Sequence, residues 1–436
     1  MTGTFLLVTA TAILLLTYAL IVSEKINRAV AALLGAGFVV IAGILTQQQA
    51  IAAIDFNTLG LLASMMIVVA ITRKSGLFGY CAIKAAQLVK ASPAGMLAAL
   101  ALVTALLSAG LNNVTVVLLM APVTFVVCKE LRVEVYPFLF AEILACNIGG
   151  TATLIGDPPN ILIGSATGLG FNDFLFDVGP VVIVILALQL AINHFIWGVK
   201  LKAAPEDRAR VMELHAGSAI TDPYLLVCSL SVIGATLVAF VLADRLRLEA
   251  ATIALCGAAL LMLLENLRHP VERHGENVAQ AMNGIEWTTL FFFIGLFVVV
   301  GGVERAGLLD LAARELALAT HGSLAITAGA VLWGSAILSA IVDNIPFVAT
   351  MIPVVKNLGP SLGGPEALRP IWWALSLGAC LGGNGTLIGS AANLAVAGIA
   401  EKNGVPFRFA KFMLFAFPMM LASIAVAQLY LWLFYL

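Results

Sequence analysis

Long apolar runs, separated by short polar breaks, fill the chain from Phe5 to Leu436. Because about 20 apolar residues span a bilayer, they predict crossing helices near 3–22, 27–45, 57–72, 135–170, 178–199, 223–243, 248–266, 284–302, 370–400 and 411–435. The runs 135–170 and 370–400 are too long for one simple pass, and each contains a glycine-rich stretch. Each therefore reads as a single broken crossing. The runs 95–128 and 323–356 are interrupted near their middles by the polar pairs Asn112–Asn113 and Asp343–Asn344, which predicts two re-entrant hairpins. The segments 79–91, with Lys84, Gln87 and Lys90, and 309–319, with Asp310, Arg314 and Glu315, read as amphipathic interface helices.

The pattern occurs twice. GGTATLIGDPPN at 149–160 returns as GGNGTLIGSAAN at 382–393, an offset of 233 residues. DFNTL at 55–59 returns as EWTTL at 286–290, and SAGLNNVTVVLLMAPV from Ser108 as SAIVDNIPFVATMIPV from Ser339, both offset by 231. Matches in register mark an internal duplication. The first repeat is 1–199, the polar linker 200–222, and the second repeat 223–436. If the hairpins enter and leave on one side, five crossings separate each position from its copy. An odd number inverts the copy, so the expected fold is an all-α polytopic membrane protein, an inverted-repeat secondary transporter with two hairpins and two broken helices.

Composition excludes a soluble chain: 61% of the 436 residues are hydrophobic and 11% charged, against about 25% charged in soluble domains. The mean hydropathy is +1.04. The start, MTGTFLLVTA, lacks the basic region of a cleaved signal and reads as the first crossing helix. Six scattered cysteines without a C-x-x-C indicate neither a disulfide framework nor a metal site. A net charge of -1 without a basic tract offers nothing to nucleic acid. Lys and Arg fall in short loops at both faces without a clean bias, so the topology has no evident direction. No G-x-x-x-x-G-K-[ST] occurs, so the expectation is a transporter rather than an enzyme, driven by an ion gradient unless a soluble ATPase subunit joins it.

Broken helices and hairpin tips expose backbone amides and carbonyls, which membrane depth tolerates only where protein or a wet cavity covers them. Two tips and two breaks related by the duplication should therefore surround a midplane site. Its polar side chains are Asn112, Asn113, Thr115, Thr151, Thr153, Asp157 and Asn160 from the first repeat, with Asp343, Asn344, Asn384, Thr386, Ser390 and Asn393 from the second. Asn112 matches Asp343 and Asp157 matches Ser390, so each half-site has one carboxylate. Intramembrane carboxylates are costly and mark ion pathways, which makes Asp343 and Asp157 proton-coupling candidates. The competing reading is that both only cap half-helices. Glu142, apolar on either side about two turns before the first break, is a third proton-coupling candidate. Asp55 and Glu286, at the starts of matching helices, read as caps. No Arg or Lys lies among the tip and break residues, which favours a neutral hydroxylated solute or a monovalent cation over a polycarboxylate.

GGTATLIGDPPNILIGSA, the NNVTVVLLMAPV stretch and the two-copy layout resemble the arsenite-efflux and P-protein branch of the ion transporter superfamily, over essentially the whole chain. The resemblance implies outer helices acting as a dimerising scaffold, with hairpins and broken helices as the moving unit. It implies export of uncharged arsenite or antimonite against protons, in the plasma membrane of a bacterium, in some members with a soluble ATPase. It places the site at tips Asn112–Asn113 and Asp343–Asn344 and at breaks Gly149–Asn160 and Gly382–Asn393. A sodium/proton antiporter, with Asp157 and Asp343 as cation ligands, is the alternative; a channel-like anion uniporter is a further one. No cofactor is expected beyond the coupling ion, a proton or sodium.

Overall fold

The computed structural model describes residues 3–23 and 25–436 and contains only helices and their connections among them. Nine of the described helices are long and apolar enough to cross a membrane. In the first half, α1 (Gly3–Val22), α2 (Arg28–Ile41) and α3 (Phe56–Lys74) precede an amphipathic α4 (Leu77–Leu88). The first hairpin is α5 (Pro93–Gly110) and α6 (Asn113–Leu131), with its tip at Leu111–Asn112. A broken crossing follows, α7 (Tyr136–Thr151) and α8 (Pro158–Thr167), and then α9 (Phe171–Gly198).

The second half repeats this order. Helices α10 (Pro223–Val241) and α11 (Ala250–Asn266) come first, then an amphipathic α12 (Val271–Met282) that the apolar pattern did not predict. Helix α12 is short and polar, with Glu272, Arg273 and Glu276 exposed, so it carries no apolar run to detect. Helices α13 (Trp287–Arg305) and α14 (Leu308–Ala319) lead to the second hairpin, α15 (Leu324–Ile341) and α16 (Asn344–Asn357). The second broken crossing is α17 (Arg369–Gly382) and α18 (Ala391–Lys402), and α19 (Phe409–Phe434) ends the chain.

Packing obeys the duplication. Helix α5 packs on α7 as α15 packs on α17, and α1 packs on α2 as α10 packs on α11. The halves interlock: α2 lies against α13 of the other half while α11 lies against α3, and α6 meets α18 as α16 meets α8. Close backbone approach makes the hairpin contacts possible. A Cβ on Gly149 would stand 2.2 Å from the Ala105 carbonyl oxygen, and one on Gly382 2.5 Å from that of Ala336. Small residues at such crossings substitute for the hydrophobic drive that lipid removes.

Five crossings per half put the 200–222 linker and the α1–α2 loop on one face, here the linker face, and the α10–α11 loop on the other. Ion pairs agree, since Lys74–Glu265 (2.8 Å) joins two helix ends at the linker face and Arg369–Asp177 (2.7 Å) joins two at the opposite face. With helix ends in place, the basic residues sort by side. The opposite face has Arg245, Arg247, Arg305, Arg314, Lys356 and Arg369, and every other one of the 23 Lys and Arg lies toward the linker face. The bias that the bare sequence left without a clean direction becomes plain once the helix ends assign each loop to a face.

Candidate functional site

The two tips and two breaks converge on Asp157, which is wholly buried. Its Oδ1 accepts from Asn113 Nδ2 of the first tip (3.2 Å) and Asn344 Nδ2 of the second (3.5 Å). Among the described residues its Oδ2 has no hydrogen-bond partner. Asp157 precedes α8 in the N-cap position, yet its side chain makes no capping bond. The capping reading therefore fails for Asp157, because the carboxylate turns toward the tips. Among the described residues no Lys, Arg or His forms an ion pair with it.

Asn147 links the parts, and sequence reasoning passed over it. Its Nδ2 donates to Asn384 Oδ1 and Asn393 Oδ1 (both 2.9 Å), while its Oδ1 accepts from Ser390 Oγ (3.2 Å) and Asn113 Nδ2 (3.4 Å). An amide alone in the apolar run LFAEILACNIGG was the available signal. Asn384 also donates to the Leu144 carbonyl (3.3 Å).

At the second tip Asp343 does two things. Its Oδ1 accepts from the Ile345 amide (3.4 Å), which is a cap, and its Oδ2 pairs with Arg28 Nη1 (2.8 Å). Arg28 Nη2 also donates to Thr289 Oγ1 (3.3 Å), and Thr289 donates to Glu286 (3.1 Å). The expectation of a site without a cation is thus corrected. Arg28 opens α2, far from the motifs in sequence, and the interlocked packing of α2 on α13 delivers it. At the first tip the matching Asn112 only caps, accepting from the Val114 and Thr115 amides.

The remaining site candidates hold the breaks in shape. Asn160 Nδ2 donates to the Thr151 and Thr153 carbonyls (3.0 and 2.9 Å), and its Oδ1 accepts from Ser376 (2.7 Å). Asn393 repeats this on the Gly383 and Thr386 carbonyls (both 2.8 Å). Thr153 donates to the Ala109 carbonyl and Thr386 to that of Ala340, stitching each break to its hairpin; Thr151 bonds the Asn147 carbonyl one turn back. These amides satisfy carbonyls that a broken helix orphans. Asn160→Ala should therefore lower stability by about 1–3 kcal/mol, seen as a lower melting temperature in detergent; an unchanged melt would remove this role.

Thr115 is half-buried, and among the described residues its side chain makes no hydrogen bond, so the structure does not bring it into the cluster. Glu142 is buried between α6 and α7, its Oε1 accepting from Thr124 Oγ1 (2.5 Å), apart from the tips. Asp55 caps α3 through the Asn57 and Thr58 amides, as expected. Glu286 makes no capping bond and lines the site instead.

A void of about 10 Å³ lies among Arg28, Asn113, Asp157, Asn344 and Ser390, roughly the room of one water. A larger vestibule of about 480 Å³ lies beside it, lined by Ile21, Ile26, Val342 and Leu394 together with Arg28 and Asp343. The pseudo-symmetric vestibule, about 320 Å³, has Asn57, Ile161, Ser165 and Glu249 in its wall. The void shares Arg28, Val114 and Ala391 with the larger vestibule and no residue with the smaller. Of the two vestibules, the void thus borders the larger.

Inverted halves, two broken helices and a buried polar site beside a vestibule define a membrane transporter. The family model described as citrate transporter, CitMHS, matches residues 18–378, and the chain belongs to that family. It is 40% identical over 432 residues to an uncharacterized transporter of Mycobacterium tuberculosis, covering 98% of each. It is 35% identical over 505 residues to the human P protein, covering 97% of this chain and 59% of that protein. The fold resembles the YdaH transporter of Alcanivorax borkumensis (TM-score 0.58, 14% identity, 98% and 97% of the two chains). It also resembles MtrF of Neisseria gonorrhoeae, of a class of antimetabolite efflux pumps (TM-score 0.53, 14% identity, 86% and 80%). The P-protein side of the expected likeness holds; its arsenite side is not among these findings.

Proposed function

We propose that the protein is a secondary transporter of a bacterial plasma membrane that exports arsenite and antimonite in exchange for protons, by alternating access around Asp157. The observation that carries this reading is the free Asp157 Oδ2, buried between both hairpin tips with no cation paired to it. Such an oxygen holds either a proton or the O–H of a solute. A carboxylate accepts a hydroxyl hydrogen bond there strongly; protonation turns that oxygen into a donor and weakens it as an acceptor. Proton and solute then compete, and competition at one site is the chemistry of exchange.

An uncharged trihydroxide suits the surroundings, because the amides of Asn113 and Asn344 and the hydroxyl of Ser390 line the void with neutral donors and acceptors. Arg28 is neutralised by Asp343 and is not a free anion clamp in this state. A second reading, transport of a small carboxylate, is favoured by the presence of Arg28 and by the description of the family model. The test is flux into sealed liposomes with an imposed pH gradient, using arsenite, citrate and sodium in parallel. Gradient-stimulated arsenite movement supports the proposal. Citrate movement without arsenite movement replaces it with the second reading, and sodium-driven proton release alone makes the chain a cation antiporter.

Glu142 is proposed as a second proton site on the path to Asp157. Glu142→Gln should slow gradient-driven flux by about tenfold, less than the roughly 10²–10⁴ loss typical of a primary proton-transfer group. Gradient-free exchange should be unaffected. Equal loss in both assays would make Glu142 structural.

A further inference from the structure

We propose that Arg28 and Asp343 form the cytoplasmic gate of the transport path, a charge latch between α2 and the second hairpin. The inference rests on alternating access but not on the identity of the solute.

Position comes first. The linker face has the great majority of the Lys and Arg residues, and such an excess in short loops marks the cytoplasmic side. The α1–α2 loop lies on that face, and its residues Ile26 and Asn27 line the larger vestibule. That vestibule is therefore the cytoplasmic one. Arg28 and Asp343 both line it, Arg28 also lines the void around Asp157, and there Asn344 and Ser390 take the place of Asp343. Nothing larger than about one water fits in that void. A solute passing from vestibule to site must part the two groups.

Construction comes second. The guanidinium is braced on α2 and α13: Nη1 meets Asp343 Oδ2 at 2.8 Å, Nη2 meets Thr289 at 3.3 Å, and its carbon lies 5.3 Å from the centre of the Phe292 ring. A planar guanidinium held this way offers a fixed docking point. Asp343, by contrast, belongs to the hairpin tip. Side-chain exposures of 28% and 13% place the pair where water is partly excluded, so separating it costs more than breaking a surface pair. The duplication makes the asymmetry plain. The first tip has Asn112 instead of Asp343, and α11 opens with Ala250 where α2 opens with Arg28. Among the described residues the pair has no counterpart at these two matching positions.

The experiment uses the full chain with its six cysteines replaced and Ser390→Cys as reporter, its folding checked by size-exclusion profile. Labelling by a membrane-impermeant maleimide is timed in inside-out and right-side-out vesicles. R28Q and D343N should each speed labelling from the cytoplasmic side by about tenfold. The R28Q/D343N double variant should match the singles rather than multiply them, and the R28D/D343R swap should return the rate toward background. Unchanged rates in the singles, or multiplied effects in the double, would overturn the latch. Acceleration confined to the external side would overturn the orientation. If one single variant fails to fold, the other single variant and the swap still decide. Absence of arsenite flux would sink the proposed solute and leave these labelling results standing.

Discussion

Asp157→Asn is expected to lower proton-driven flux by about a hundredfold or more while leaving the protein folded. The size follows from removing the primary proton-transfer group, for which losses of about 10²–10⁴ are typical. The geometry explains why folding should survive. An amide has the shape of a carboxyl, and its oxygen still accepts from Asn113 and Asn344, which now donate to Oδ1 at 3.2 and 3.5 Å. Its NH₂ would occupy the place of the unpartnered Oδ2. The variant thus imitates the proton-loaded site permanently and cannot return to the form that accepts a solute hydroxyl. The measurement is liposome flux with and without a pH gradient, beside a thermal melt. A folded variant with normal gradient-driven flux would remove Asp157 from coupling and leave Asp343 and Glu142 as the remaining carboxylates to test.

The second large effect concerns assembly. Gly149→Val and Gly382→Val should each destabilise the protein by about 3 kcal/mol or more, the upper range for overpacking. A Cβ at Gly149 would meet the Ala105 carbonyl carbon at 2.6 Å as well as its oxygen, and one at Gly382 would meet Ala336 Cα at 2.7 Å. The obstacles are backbone atoms of the hairpins, so no rotamer change relieves them. Hairpin and broken helix would have to separate, dragging the tips from Asp157. Gly398→Val is the control, since a Cβ there meets nothing within 4 Å. Thermal melts followed by size-exclusion chromatography should show early loss for the first two variants and a near-normal profile for the control. Equal melts for all three would mean that the close approach is not needed.

Much of the architecture was legible because lipid imposes a simple code. Runs near bilayer length announced α1, α3, α10 and α13, and the polar pairs announced both tips within a residue. Duplicated motifs supplied the inversion through parity alone. Helix α12 escaped because an amphipathic surface helix has no such run, and α9 began earlier than its apolar pattern indicated.

The site was legible in its residues but not in their tasks. The breaks named Asp157 and the tips named Asn113 and Asn344, and the structure brings these three together. Asn160 and Asn393 bear equal polarity in the sequence, yet their amides are spent on the carbonyls of their own breaks. Thr115 sits beside a tip and joins nothing, while Asn147, two residues before a glycine pair, joins four partners.

The sequence by itself determined the membrane class, the duplication, the hairpins and the broken crossings, because hydrophobic length and internal repetition are properties of the chain alone. Tertiary structure decided which face is basic, which carboxylate is left unpaired, and that Arg28 meets Asp343 across 315 positions. Those facts depend on how two interlocked halves pack. A charge acquires its partner only when folding sets the distance between them, and no local pattern encodes that distance.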